Sequence, residues 1–191
     1  MREQHSETTF PDAAKMIAGE IAGVVARIDA EEANSLVERI AGARKVVIAG
    51  EGRSGLVGRT FAMRLVQMGV AAYVAGETIT PAVGPGDLFI AISGSGRTAA
   101  TLTCAQSAHE AGADVALISA RGDGPLAALA ADVLVIPGAT KGRAPGEATS
   151  DQPLSSLFDQ ALHVALDALV MLLMRRLGRS EEEMRRAHTN L

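Results

Sequence analysis

The sequence predicts an α/β fold in which a doubly wound sheet of five parallel strands is flanked by N- and C-terminal helices. Three observations carry this prediction. Short apolar runs alternate with helical patterns through the middle of the chain. Those runs are continuously apolar, as in strands that helices cover on both faces of a sheet. The 191 residues are 48% hydrophobic and 21% charged, which is ordinary for one globular domain.

Two helices are predicted ahead of the first strand. Residues 10–43 show helical periodicity in two pieces, and Asp29 lies between them where an N-cap is expected. We therefore expect residues 1–43 to form a helical extension that packs on the core. Residues 44–191, with the C-terminal helices, are expected to form the main domain, and the two parts together one folded unit.

Strands and helices then alternate. The β-rich apolar runs cover residues 45–49, 71–75, 88–92, 114–118 and 132–136. Helices are predicted between them at residues 56–68, 98–112 and 126–131. This order predicts parallel strands joined by helical crossovers.

The last third of the chain predicts a loop and two helices. Residues 137–153 are rich in Gly, Pro, Ser and Thr, which is typical of a long surface loop. A long helix is expected over residues 154–177, ended by Gly178. Ser180 and Glu183 then have the spacing of a capping box and predict a final short helix.

The composition excludes several classes of protein. A net charge of −4 and only 3% aromatic residues argue against nucleic-acid binding by a basic patch or by base stacking. The most apolar stretch, residues 161–174, is interrupted by His163 and Asp167 and is too short to span a membrane. The single cysteine, Cys104, and a polar start without a secretory pattern favour a cytoplasmic protein.

The turn after the third strand has the composition of a phosphate-binding site. Its glycines allow an anion to approach the backbone, and its hydroxyls and the following helix N-terminus offer hydrogen-bond donors. The residues concerned are Ser93, Gly94, Ser95, Gly96, Arg97 and Thr98. The turn lacks the Gly-Lys-Ser/Thr ending of a nucleotide P-loop, so a phosphate monoester on a small molecule is expected. The alternative is an ordinary strand-to-helix connection.

The turn after the first strand allows a second interpretation. Gly50, Gly52 and Gly55 match the G-x-G-x-x-G pattern of dinucleotide-binding folds, and Glu77 follows Gly55 by 22 residues. A nicotinamide enzyme would, however, leave the hydroxyl-rich turn unexplained, and no substrate domain follows the fourth strand. In a doubly wound sheet, the first and third turns meet where the winding reverses, so we expect one shared ligand site there.

Seven segments together resemble a known family. They are G-x-G-R-S-G-L at 50–56, F-A-M-R-L at 61–65, G-E-T-I-T-P at 76–81, the S-G-S-G-x-T turn, S-L-F-D-Q-A-L at 156–162, L-D-A-L-V at 166–170 and the terminal H-T-N-L. In this ordered set the chain resembles 6-phospho-3-hexuloisomerase, of the sugar isomerase (SIS) domain superfamily. The resemblance runs from about residue 12 to the end.

The resemblance implies a fold, an activity and partners. It implies a five-stranded flavodoxin-like sheet, usually in a homotetramer with sites at subunit interfaces. The implied reaction interconverts D-arabino-hex-3-ulose 6-phosphate and D-fructose 6-phosphate without a metal or another cofactor. In the ribulose monophosphate pathway of formaldehyde fixation, this step follows hexulose-phosphate synthase.

The resemblance also implies roles for individual residues. Ser54 and the turn 93–98 match substrate-binding segments of the family, and Asp159 lies where the family usually has a glutamate proposed as proton acceptor. The chain departs from the family at three positions, since Arg97 and Asp159 each replace a glutamate and Glu51 replaces a small residue. An aldose–ketose isomerase of another phosphosugar, or a non-catalytic sugar-phosphate-binding protein, are the alternatives.

Moving a carbonyl between neighbouring carbons requires a base and a proton donor. The candidates are Asp159, Glu77 and His188. His163 is a further candidate, but its apolar neighbours in the sequence favour a buried structural histidine. For each carboxylate the alternative is a structural role at a helix start or loop. Arg53 is expected either to contact ligand oxygens or to form a structural salt bridge.

Overall fold

The computed structural model describes residues 8–143, 145 and 147–190 of the chain. The polar start over residues 1–7 and the last residue of the H-T-N-L segment, Leu191, lie outside this part. The helices are α1 (Phe10–Val25), α2 (Ala30–Gly42), α3 (Gly52–Gln67), α4 (Ala99–Glu110), α5 (Ser156–Arg176) and α6 (Glu181–Arg186). The strands are β1 (Val46–Gly50), β2 (Ala72–Val74), β3 (Leu88–Ile92), β4 (Asp114–Ser119) and β5 (Asp132–Val135).

The five strands form one parallel sheet in the order β2-β1-β3-β4-β5. The predicted doubly wound α/β fold is therefore confirmed. The chain moves outward from β1 to β2, then crosses back to β3, so the winding reverses between β1 and β3. Their register pairs Gly50 with Ile92, which places the carboxyl ends of both strands at the same height.

Alternating side chains of the strands point into two separate cores. On one face, Ile48 and Ile90 pack with residues of α1, α2, α3 and α5. On the other, Val47 and Phe89 pack with α4 and the segment before β5. The helices α1 and α2 contribute Val24, Leu36, Val37 and Ile40 to the first core. The division into an extension and a main domain at residue 43 stays a prediction.

The long C-terminal helix is a core helix. By length and hydropathy, Ser156–Arg176 could cross a membrane, but 56% of its most apolar window is buried inside the protein. Its buried side chains include Leu162, Leu166, Leu169 and Leu173. Its apolar character is therefore explained by packing against the sheet and the other helices.

One predicted helix is absent, and two begin elsewhere than predicted. Residues 126–131 form turns held by short-range bonds, such as Leu129 N–H to Leu126 O, and their apolar side chains pack in the core beside α4 without a helix. Helix α3 begins at Gly52 instead of residue 56. Helix α5 begins at Ser156 instead of residue 154, since Leu154 has a left-handed φ of 55°.

Candidate functional site

A cavity of about 570 Å³ lies at the carboxyl ends of β1 and β3, where the winding of the sheet reverses. Four segments line it: the start of α3, the turn after β3, the loop after β5 and the start of α5. Their lining residues are Glu51, Ser54, Gly94, Ser95, Thr98, Thr140, Lys141, Gly142, Ser155 and Phe158. The turns that the sequence predicted to share one site thus meet in one cavity.

Three helices begin at this cavity without a side-chain cap. The N-cap residues of α3, α4 and α5 are Glu51, Thr98 and Ser155, and none accepts a hydrogen bond from its own first turn. The N-cap side chains of α1, α2 and α6 do accept hydrogen bonds from the first turns of their helices, and these residues do not line the cavity. Backbone N–H groups of the first turns of α3 and α4 are thus left for a ligand, whereas in α5 the N–H groups of Ser156 and Phe158 already bond Pro153 O and Ala139 O. Each of these ends also carries about half a unit of positive charge, so the cavity suits an anion.

The turn after β3 presents two of its hydroxyl side chains to the cavity. Ser95 and Thr98 line the wall, while Ser93 is only 2% exposed and hydrogen-bonds Thr98 Oγ1 at 2.8 Å from behind. Gly96 has a φ of 66°, which favours glycine and allows the tight bend of the turn. Ser93 therefore contacts Thr98 and does not line the cavity, and its role in binding stays a prediction.

Arg97 and Arg53 are both engaged with carboxylates. Arg97 Nη2 lies 3.8 Å from Asp123 Oδ2, and Arg97 does not line the cavity. Arg53 Nε lies 3.4 Å from Asp159 Oδ2. Arg53 therefore forms an ion pair, and contact of its guanidinium with ligand oxygens stays a prediction.

Asp159 lies directly behind the cavity wall. It is 2% exposed, and its two oxygens accept hydrogen bonds from Ser54 Oγ at 2.7 Å and Ser155 Oγ at 2.9 Å. Both hydroxyls belong to residues that line the cavity. Asp159 thus holds two hydroxyls of the cavity wall, that of Ser54 in α3 and that of Ser155, the N-cap residue of α5.

Asp159 also borders a second depression, of about 410 Å³, with Arg53, Leu56, Gln160 and His163. His163 is exposed and forms an ion pair with Asp167, with Nε2 3.7 Å from Oδ2. The interpretation of His163 as a core histidine is therefore wrong, because this face of α5 points away from the sheet.

The structure does not bring Glu77 or His188 to the cavity. Glu77 follows the edge strand β2 and forms an ion pair with Arg59 of α3. His188 lines a groove between α5 and α6, where its ring nitrogen lies 3.0 Å from Thr189 O. The edge position of β2 places Glu77 beyond β1, away from the point where the winding reverses. Catalytic roles for these two residues stay predictions.

Several lining residues were not identified as site residues from the sequence. Glu51 was noted only as a departure from the family, and Ser155 could have been found as the residue before a helix that carries Asp159. Thr140 and Lys141 lie in the loop after β5, where no pattern distinguished them. Within the described ranges, no group of three His, Cys, Asp or Glu side chains is arranged to hold a metal ion.

The glycines of the G-x-G-x-x-G pattern have a packing role. A Cβ on Gly55 would lie 2.3 Å from Gly50 O, and a Cβ on Gly50 would lie 3.1 Å from Ile92 O. Both glycines therefore allow α3 to begin directly against β1 and β3. This close approach accounts for two of the three glycines, and the third, Gly52, has a left-handed φ of 56°.

Comparison with known proteins agrees with this architecture. The family model for the SIS domain matches residues 39–165. The chain belongs to the SIS domain family. The match covers all five strands, α3, α4 and the first half of α5, and hence every residue that lines the cavity.

Relatives of this SIS-domain chain include proteins with a named activity. A protein of Mycobacterium gastri named 3-hexulose-6-phosphate isomerase is 40% identical over 92% of this chain and 88% of its own length. One of Bacillus subtilis with the same name is 36% identical, over 92% and 95%. A crystal structure from Methanococcus jannaschii, described as inferring a 3-hexulose-6-phosphate isomerase function, has a TM-score of 0.82 and 31% identity, covering 94% of this chain and 99% of that one.

Proposed function

We propose that this SIS-domain chain is an enzyme that isomerises D-arabino-hex-3-ulose 6-phosphate to D-fructose 6-phosphate. The observation that carries the proposal is the cavity itself. Three helices without a side-chain cap begin there, and it is lined by the hydroxyl residues Ser54, Ser95, Thr98, Thr140 and Ser155. The relatives named 3-hexulose-6-phosphate isomerase, 36–40% identical over most of the chain, support this choice of phosphosugar.

The phosphate is proposed to bind at the turn after β3. Ser95 Oγ, Thr98 Oγ1 and the first N–H groups of α4 can donate to its oxygens. Gly94 lines the cavity without a side chain, Gly96 allows the bend of the turn, and Ser93 hydrogen-bonds Thr98. The phosphate is remote from the reacting carbons, so its binding energy serves to position C2 and C3.

The reaction moves the carbonyl from C3 to C2. A base removes the proton from C2, the electron pair forms the C2–C3 double bond, and the C3 oxygen becomes the oxyanion of an enediol. A proton is then returned to C3, while the C2 hydroxyl loses its proton and becomes the carbonyl. Because both hydrogens move within one molecule, the reaction consumes no nicotinamide or other co-substrate.

Asp159 is proposed as the base. Both its oxygens are occupied in the free protein, so a serine hydroxyl must turn toward the substrate before one oxygen can take the C2 proton. Ser54 and Ser155 each need only a rotation about one bond to do so, and each then donates to a substrate oxygen. The first N–H groups of α3, which no side chain caps, can stabilise the developing oxyanion.

The proposal extends to assembly and cellular context. We place the protein in a cytoplasmic homotetramer, in which His188 of one subunit reaches the cavity of another. Exposed apolar side chains on adjacent helices, Leu56 and Met63 of α3 and Val164 and Met171 of α5, support such subunit contacts. A hexulose-phosphate synthase that fixes formaldehyde is the proposed source of the substrate.

Coupled turnover tests the function. Purified protein is supplied with hex-3-ulose 6-phosphate made in place by a hexulose-phosphate synthase, and fructose 6-phosphate is measured. The proposal expects rapid conversion. Turnover of an aldose phosphate but not of this ketose phosphate would show that the protein isomerises a different phosphosugar. Binding of sugar phosphates without any turnover would instead indicate a non-catalytic binding protein.

A further inference from the structure

Two charged side chains line the cavity among the residues that the structure describes, Glu51 and Lys141. The substrate proposed above carries a phosphate, so a cationic side chain on the cavity wall could bind it. The cations Arg53 and Arg97, both near the turns, are paired with Asp159 and Asp123. Lys141, in contrast, forms no ion pair with a carboxylate of the described residues.

Lys141 lies beside the turn after β3. The preceding residue, Thr140, is 5% exposed, and its Cγ2 lies 3.3 Å from where a Cβ on Gly94 would be. Gly94 directly precedes Ser95, whose hydroxyl lines the cavity. The loop that carries Lys141 therefore packs against the segment proposed to bind phosphate.

The backbone on both sides of Lys141 is held by hydrogen bonds within its loop. Glu147 accepts from the Thr140 N–H at 2.7 Å and from the Thr140 hydroxyl. Arg143 donates to Ser150 O at 2.6 Å and to Gln152 O at 2.7 Å. The loop thus presents a fixed main chain, although the side chain of Lys141 is itself exposed.

The same loop is attached to helix α1. Glu20 Oε2 accepts from Ser150 Oγ at 2.7 Å and from Gln152 Nε2 at 2.8 Å. Burial raises the pKa of Glu20, but these hydrogen bonds, with the N–H of Asp151 and the charge of Arg143, bring it below its usual value. Glu20 is therefore a carboxylate at neutral pH and attaches the end of this loop to α1.

We infer that Lys141 is a phosphate-binding residue, whose ammonium group contacts the phosphate held at Ser95 and Thr98. This inference rests on the proposed function. An ammonium group is a compact charge with three donors, which suits a phosphate dianion that the serine and threonine hydroxyls contact from the other side. Losing a hydrogen bond to a charged group typically weakens binding by about 10- to 100-fold.

The test compares Lys141→Met with Lys141→Arg and with Lys15→Met, a matched control. Lys15 is exposed on α1 and does not line the cavity, so Lys15→Met removes the same charge elsewhere. Calorimetry gives the Kd of each protein for fructose 6-phosphate and for inorganic phosphate at low and moderate salt. Coupled turnover gives kcat and KM, and thermal unfolding verifies the fold, with Lys141→Gln as a second neutral variant.

The inference expects Lys141→Met to raise both Kd values and KM by about 10- to 100-fold with little change in kcat. Lys141→Arg should retain most of the affinity, and Lys15→Met should match the wild type. Affinity should also fall less with salt in Lys141→Met than in the wild type, because one charge contact is missing. Unchanged binding in both neutral variants, or a loss of kcat at constant KM, would overturn the inference.

The outcome for Lys141 is separable from that for the proposed function. Wild-type protein that binds fructose 6-phosphate without turnover would refute the isomerase, while the binding comparison would still decide the role of Lys141. Wild-type turnover with unaltered phosphate binding in Lys141→Met would refute the inference alone.

Discussion

Ser54 Oγ donates to Asp159 Oδ1 over 2.7 Å, although the two residues are 105 positions apart in the chain. The bond joins the first turn of α3 to the first turn of α5 and so closes one side of the cavity. Ser155, the N-cap residue of α5, donates to the other oxygen of Asp159. Asp159 therefore couples the position of the two helix starts to the position of two hydroxyls that face the ligand.

Replacing Asp159 with asparagine tests its role as the base. Asp159→Asn keeps nearly the same shape but cannot accept a proton, so kcat should fall by about 10²- to 10⁴-fold. Binding of fructose 6-phosphate, measured by calorimetry, should persist.

Glu51→Gln is the comparison, because Glu51 is the carboxylate among the described residues that line the cavity. Its loss should lower KM by removing a negative charge near the phosphate. A large fall of kcat in Glu51→Gln, with near-normal kcat in Asp159→Asn, would transfer the role of base to Glu51.

Two serines of the same turn should differ in their effect on KM. Ser95 lines the cavity and is expected to bond the phosphate, so Ser95→Ala should cost about 1.5–3 kcal/mol of binding, seen mainly in KM. Ser93 is buried and bonds Thr98, so Ser93→Ala should raise KM less and lower stability instead. Steady-state kinetics and urea unfolding of both variants check this difference. An equal or larger KM effect in Ser93→Ala would contradict the arrangement of the turn.

Two glycine-to-alanine changes should have opposite effects on stability. In Gly55→Ala the new methyl group would lie 2.3 Å from Gly50 O, so the free energy of unfolding should fall by about 1–3 kcal/mol or more. In Gly19→Ala, within α1, nothing lies within 4 Å of the added atom, and stability should rise by about 0.5–1 kcal/mol. Urea unfolding of both variants measures the difference. Wild-type stability in Gly55→Ala would show that α3 does not approach β1 this closely.

Asp87 should make stability depend on acidic pH. Burial raises its pKa, but the ammonium group of Lys45, the N–H of Gly84 and the charge of Arg44 lower it below the usual 3.8. Because the folded-state pKa is the lower one, the contribution of the carboxylate is complete above about pH 4 and is lost as the pH falls through the folded value. The stability gap between wild type and Asp87→Asn, from urea unfolding at several pH values, should therefore shrink below pH 4. A gap that widens with acid would contradict this.

The sheet and the turn after β3 could be predicted from the sequence because both depend on local signals. Continuous apolar runs predict buried parallel strands, and Ser95 and Thr98 stand at a fixed distance from the end of one such run. The same local reasoning failed at residues 126–131, where an apolar segment packs beside α4 as turns. Packing at that place satisfies the apolar side chains without a helix.

The rest of the site depends on contacts between distant parts of the chain. Lys141 lies in a loop whose residues Ser150 and Asp151 donate to Glu20 of α1, some 130 residues earlier, and no local pattern contains that information. The sequence predicts the position of Arg97 in the turn after β3, but it does not predict the ion pair of Arg97 with Asp123. Glu77 lies away from the cavity because it follows the edge strand β2, and His188 because it follows the terminal helix α6. Both positions likewise depend on the arrangement of distant parts of the chain.

A crystal structure of the protein with fructose 6-phosphate bound tests the central claim most directly. The account predicts the phosphate within hydrogen-bond distance of Ser95 Oγ, Thr98 Oγ1 and the first N–H groups of α4, with C2 and C3 of the sugar toward Asp159. A phosphate bound elsewhere, for example at the start of α3 with the turn after β3 unoccupied, would contradict it.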